Sequence, residues 1–291
     1  MLGSEASITV TAAEQGQQLR LQVSYSDGQG FPETLHLSAG SVPAPEPQVP
    51  EERVVIGLNR VVITEGLGPE LTVEASLAQS NGERRLQAIG VQDSRIDTGG
   101  SEAATDTTIV IRASVVSTGA SATAIGVNTS SLQLRPGDDT ITVEASVSGM
   151  GRGLAVAVSD SLISGNRGDD TITLRGTYWG DRALVFGGAG NDTIIGDGIG
   201  RDSFIQAGDG NDVVSLGRIQ TTTGAAPLQR AKGEPIAPST YRGGSGFDVL
   251  VLRETTQAEF ETQTTSFFSG GESGWMFQGA RFSGFEQIVF V

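Results

Sequence analysis

The chain has 291 residues, 37% of them apolar, enough for a sizeable core, and 41 are glycine, about twice the usual share of about 7%. Its formal net charge of −15 repels nucleic acid and favours divalent cations as partners. Cysteine is absent, which excludes disulfide frameworks and thiolate metal sites, and no apolar run approaches the roughly 18 residues of a membrane span.

The opening residues Met1 to Ser7 hold neither a basic region nor an apolar stretch, so no cleavable N-terminal signal peptide is expected. Alternating runs at 7–11, 19–25 and 34–37 have the period of half-buried antiparallel strands. They predict a small β cap or module over residues 1–42. Pro43, Pro45, Pro47 and Pro50 then make a stiff, strand-free linker over 43–53.

From Val54 the chain repeats itself. One phrase recurs at Leu71 to Ser76, Ile109 to Ser114, Ile141 to Ser146 and Ile172 to Thr177, and a second at Ala88 to Ile96, Ala124 to Leu132 and Ala155 to Ile163. Each coil therefore supplies at least two strands, and stacking the coils buries a continuous core. Residues 54–180 read as long, degenerate coils of a parallel β-solenoid.

Over 181–253 the turns become explicit. Gly187, Gly188, Gly190, Asp192 and Ile194 fill every defined place of the nonapeptide G-G-x-G-x-D-x-U-x, and Ala207, Gly208, Gly210, Asp212 and Val214 nearly repeat it. Gly243, Gly244, Gly246 and Asp248 form a third copy. Glycine permits positive φ, so carbonyls can converge while the aspartate adds a carboxylate. Calcium takes about six to eight oxygens at about 2.3–2.6 Å, so turns on stacked coils must share each ion.

This motif resembles the hemolysin-type (RTX) calcium-binding repeat. The resemblance is close for 187–215, good for 243–251 and partial elsewhere, and residues 282–290 are similar to segments that close such arrays. It implies an all-β parallel β-roll or β-helix with calcium as its cofactor, an extracellular or cell-surface location, and export by type I secretion machinery. The final Glu286 to Val291 resembles the C-terminal signal of some of those substrates, and equally a closing β-strand.

The aspartates before the first phrase, Asp106, Asp139, Asp170, Asp192, Asp212 and Asp248, stand 33, 31, 22, 20 and 36 residues apart. They are read as one ladder with insertions bulging from another side. Gly137 with Asp139 and Gly168 with Asp170 keep the second half of the turn without the leading glycine pair, and around Gly99, Gly100 and Asp106 the spacing is broken. Candidate calcium-binding residues are Gly187, Gly188, Gly190, Asp192, Gly208, Gly210, Asp212, Gly168, Asp170, Gly137, Asp139, Gly244, Gly246 and Asp248. Asp202 joins them at a half-coil offset, on the opposite edge.

A proline-containing surface loop is expected over 224–240. Residues 254–291 gather seven of the eleven phenylalanines, and Trp275, into capping strands, with Phe260, Phe277, Phe282 and Phe290 among them. An end coil lacks a neighbour to cover its core, and bulky side chains answer that need.

Catalysis is not expected. His36 is the single histidine and lies outside the repeats, and G-x-S-x-G is absent. A polysaccharide lyase, epimerase or hydrolase on a β-helix is the minor enzymatic alternative. The other is an adhesin or binding module for a glycan, a surface or ice, suggested by Thr140 with Thr142 and Thr171 with Thr173 on consecutive coils.

Overall fold

Aliphatic residues that recur once per coil leave water only if each coil lies on the next. The computed structural model has this arrangement and describes residues 18–26, 32–41, 52–64, 69–79, 83–97, 105–149, 153–197, 202–217, 239–269 and 271–291. The chain divides into two units, Met1–Glu51 and Glu52–Val291. In the first, Gln18–Ser26 and Pro32–Ser41 pair antiparallel. The run at 7–11, the prolines of the linker, Gly99, Gly100 and most of the 224–240 loop lie outside the described residues.

The second unit is an all-β parallel solenoid, as the repeats imply. Sheet I has ten strands and runs from Val62–Ile63 to the C-terminal hairpin, and sheet II has eight, from Glu70–Ala78 to Gln287–Phe290. Sheet III has five, from Glu52–Asn59 to Tyr178–Asp181. The early coils therefore have three faces and the late ones, among the described residues, have two.

Register is set by the alternation of buried and exposed positions, since a slip of one residue would turn every core side chain outward. In sheet II, Ile109, Ile141 and Ile172 align, and so do Ile111, Val143 and Leu174; all six are buried. In sheet I, Ile96, Leu132, Ile163, Val185, Ile205 and Tyr241 form the facing column and are equally buried. A second, smaller core of short side chains, with Ala88, Ala113, Ala122 and Ala145, lies under sheet III.

The C-terminal end is closed by aromatics, and also by a helix that the strand pattern does not predict. Thr256 and Glu259 form a capping box at the start of Gln257–Gln263, two orphan amides being satisfied reciprocally. The helix places Phe260 5.0 Å from Phe277 and 5.5 Å from Phe290, ring centre to ring centre. Tyr241 stacks on Phe282 at 4.9 Å. The hairpin Thr265–Ser269 with Glu272–Phe277 pairs antiparallel beside Ala280–Ser283, and Phe268 at its edge remains exposed.

Candidate metal site along the glycine-turn edge

Sheet I passes to sheet II through the glycine turns. Gly137, Gly168, Gly190, Gly210 and Gly246 all have positive φ, as do Gly188, Gly208 and Gly244. A Cβ built on Gly190 would overlap the Gly168 carbonyl, one on Gly210 the Gly190 carbonyl, and one on Gly246 the Gly210 carbonyl. The same holds for Gly208 over Gly188 and Gly244 over Gly208. Two columns of main-chain oxygens thus face the glycine of the next coil, an approach that no side chain permits.

One residue before each of the sheet II strands that follow these turns stands the inner carboxylate ladder. Asp139, Asp170, Asp192, Asp212 and Asp248 are at most 1% exposed. Each Oδ1 accepts the backbone N–H of the coil before it: Thr107 to Asp139 at 2.6 Å, Asp139 to Asp170 at 2.8 Å, Asp170 to Asp192 at 2.9 Å, Asp192 to Asp212 at 2.8 Å and Asp212 to Asp248 at 3.0 Å. Glu286 ends the row, its longer side chain accepting the Asp248 N–H at 2.7 Å.

The other oxygen is the informative one. Among the described residues, Oδ2 of all five aspartates is buried without a hydrogen-bond partner. Such a group costs about 1–3 kcal/mol, more when charged. It is aimed into the turn: a Cβ on Gly187 would overlap both Asp192 Oδ2 and the Ala207 carbonyl, and one on Gly243 would meet Asp248 Oδ2 and the Gly284 carbonyl. Glycine at this place leaves a cradle in which a carboxylate and a carbonyl of the next coil converge.

Burial pushes the Asp170 carboxyl up to about 7 and those of Asp139, Asp192 and Asp212 up to about 6, with a smaller contribution from neighbouring carboxylates. Asp248 is raised for the same reason. The accepted N–H bonds act in the opposite sense and do not offset it. The donor set is oxygen throughout, hard carboxylates and carbonyls that suit calcium rather than a thiophilic or imidazole-seeking metal. Among the described residues no three acidic or histidine side chains meet at one point, so a cation here would draw largely on the main chain.

An outer ladder runs beside the inner one with opposite polarity. Asp106 Oδ1 accepts Asp138 N–H, Asp138 accepts Asp169, Asp169 accepts Asn191, Asn191 accepts Asn211 and Asn211 accepts Phe247, at 2.7–3.0 Å. This corrects the place of Asp106. Thr140 pairs with Thr108, so the residue beside Asp139 is Thr107, and Asp106 belongs to the exposed outer row with Asp138 and Asp169.

Asp202 lies at another corner. It has φ of 48° and continues the left-handed positions Arg60, Asp93, Thr129, Asp160 and Arg182, each one residue before a corner place that is serine in most coils and Val61 or Ala183 in two. There Ser94, Ser130, Ser161, Ser203 and Ser239 link coils: Ser94 N–H donates to Ser130 Oγ at 3.0 Å and Ser130 N–H to Ser161 Oγ at 2.9 Å. Ala183 N–H donates to Ser203 Oγ and Ser203 N–H to Ser239 Oγ. Asp202 is therefore not brought together with the glycine turns. The recurring pairs Asp93-Ser94, Asp160-Ser161 and Asp202-Ser203 are the signal from which this second corner could be read.

Compared with family models, with curated proteins and with solved structures, the chain matches none.

Proposed function

We propose that this is a calcium-binding repeat scaffold, in which the glycine-turn edge of the solenoid holds calcium between stacked coils and so couples ion binding to folding. The observation that carries the reading is the row of five buried aspartate oxygens without partners, three of which, on Asp170, Asp192 and Asp248, converge with a main-chain carbonyl of the next coil at a glycine. Each Oδ1 is occupied by the amide of the preceding coil, which fixes the carboxylate plane and turns Oδ2 toward the cradle. Glycine keeps the cradle open at 165, 187 and 243, and the small Ala207 takes the same place before Asp212. Successive carboxylates stand one coil apart, about 4.8 Å, where like charges repel by on the order of 3 kcal/mol at an effective dielectric near 20. A bound calcium ion would supply the positive charge that this column lacks.

The same physics supports an extracellular or cell-surface setting. Glycine-rich turns lose much entropy on ordering, so a chain of this kind folds where calcium is millimolar, the range of extracellular modules. Type I export follows only from the motif resemblance.

Circular dichroism and thermal melting with and without millimolar calcium test the reading. Strand signal and melting temperature rise with calcium in the wild type, and that gain is lost in Asp192→Ala with Asp212→Ala. A chain equally folded and equally stable in chelator sinks it.

A second reading, a binding module, has one observation in its favour. A groove of about 660 Å³ runs along the serine corner, with Val62, Leu162 and Leu184 beside Ser131 and the Asp160–Arg182 pair. Binding to a panel of immobilised glycans, abolished by Leu184→Asp, would favour it.

A further inference from the structure

Resting on the calcium reading, we propose that the cation column begins at the Asp170 turn, completed by Gly165 and Asn166, and that the Asp139 turn one coil earlier is closed by Leu134 and Arg135. The nonapeptide pattern does not register Gly165 and Asn166, because asparagine interrupts the glycine pair.

The pairing of the strands makes the equivalence. Ser164 aligns with Phe186 and Asn166 with Gly188, so Gly165 stands where Gly187 stands in the next coil. Asn166 has φ of 86°. Asparagine is the residue after glycine that best tolerates the left-handed region, so it fills the second glycine's role. A Cβ built on Gly165 would overlap Asp170 Oδ2 and lie 2.7 Å from the Gly187 carbonyl oxygen. That is the same carboxylate-and-carbonyl cradle as at Gly187. The Asn166 carbonyl also faces Gly188 as the Gly188 carbonyl faces Gly208, so the oxygen column continues through it.

One coil earlier the arrangement stops. Gln133 aligns with Ser164, which puts Leu134 and Arg135 at the two glycine places. Leu134 is 3% exposed and belongs to the core, so a full side chain is packed at the position that glycine leaves open. Asn166 Nδ2 donates to the Leu134 carbonyl at 3.3 Å, which covers an oxygen of that turn. The inner-ladder residue before Asp139 is Thr107, without a carboxylate. Asn166 therefore completes its own turn and seals the one before it.

The test counts calcium bound per full-length chain by equilibrium dialysis, with circular dichroism to confirm the fold. Gly165→Leu with Asn166→Arg, which copies the preceding coil, is expected to bind one ion fewer than wild type, and Asn166→Gly to bind the wild-type number. Leu134→Gly with Arg135→Gly is expected to bind one more. Should either double variant not fold, Asn166→Val, a β-branched residue at positive φ, gives the decisive count, one ion fewer. Unchanged counts in folded variants overturn this inference while leaving the calcium reading intact. A wild-type chain that binds no calcium overturns both.

Discussion

The coils before and after residue 180 share the same two edges and the same aspartate-to-amide cross-links but differ in length and in core. Before it, successive turns stand 32 and 31 residues apart, and three sheets enclose the core. Four apolar residues of Thr108–Ser117 are buried there, Ile109, Ile111, Ala113 and Val115. After it, the spacing shrinks to 22 and 20 residues before the 36-residue step to Asp248, sheet III has no further strand among the described residues, and strands such as Val213–Leu216 bury only Val214 and Leu216. A short coil exposes its chain to nearly the same ordering cost per residue and recovers less apolar burial. The glycine pairs appear where the core thins. On the proposed calcium reading, ion cross-linking at these turns takes over from the aliphatic stacking of the longer coils along one solenoid.

The sharpest way to break that contrast is pH. The aspartates of the inner ladder hold their protons more tightly in the fold than at their ordinary value of 3.8. The cation-free fold therefore gains from them below about pH 4 and loses that gain as pH rises through 6 to 7. With calcium, which competes with the proton, the stabilisation should instead grow across the same window. Urea midpoints from pH 4 to 8, in chelator and in calcium, should diverge by several kcal/mol in all, on the order of 1–3 kcal/mol for each orphaned oxygen. Parallel curves would remove the ion from the late coils' account.

A smaller effect distinguishes the early coils. Ile141→Ala deletes a fully buried side chain and should cost about 2–5 kcal/mol, equally in chelator and in calcium. A loss that calcium repairs would mean that the two regions are not separable. Smaller again is the serine corner. Ser130→Ala removes the acceptor of the buried Ser94 N–H and should cost about 1–3 kcal/mol, with no calcium dependence, measured by the same melts. Ser203→Ala, in the late coils, is expected to behave alike, since this corner spans both regions.

Much of this was legible in the chain. The repeated phrases identify the stacked strands, and the glycine–aspartate spacing identifies the turns at Asp192, Asp212 and Asp248. The register of Asp106 was not legible, because a shift of one residue between coils of 32 residues is invisible without knowing which strand positions pair. Nor was the Gly165–Asn166 turn, because a pattern counts glycines whereas the backbone requires only a residue that accepts positive φ. The helix at Gln257–Gln263 had its signal in Thr256 and Glu259, masked by the aromatic strand pattern around it.

The sequence by itself determined the parallel β-solenoid and the edge on which its acidic turns gather, since periodic apolar residues and glycine turns admit few other arrangements. Only the tertiary structure decided that the early coils have three faces and the late ones, among the described residues, two, and that each aspartate of the inner ladder spends one oxygen on its neighbour's amide and leaves the other bare. Those are facts about which coil lies against which. A hydrogen bond between residues 20 to 36 apart exists only once the stacking has chosen its register.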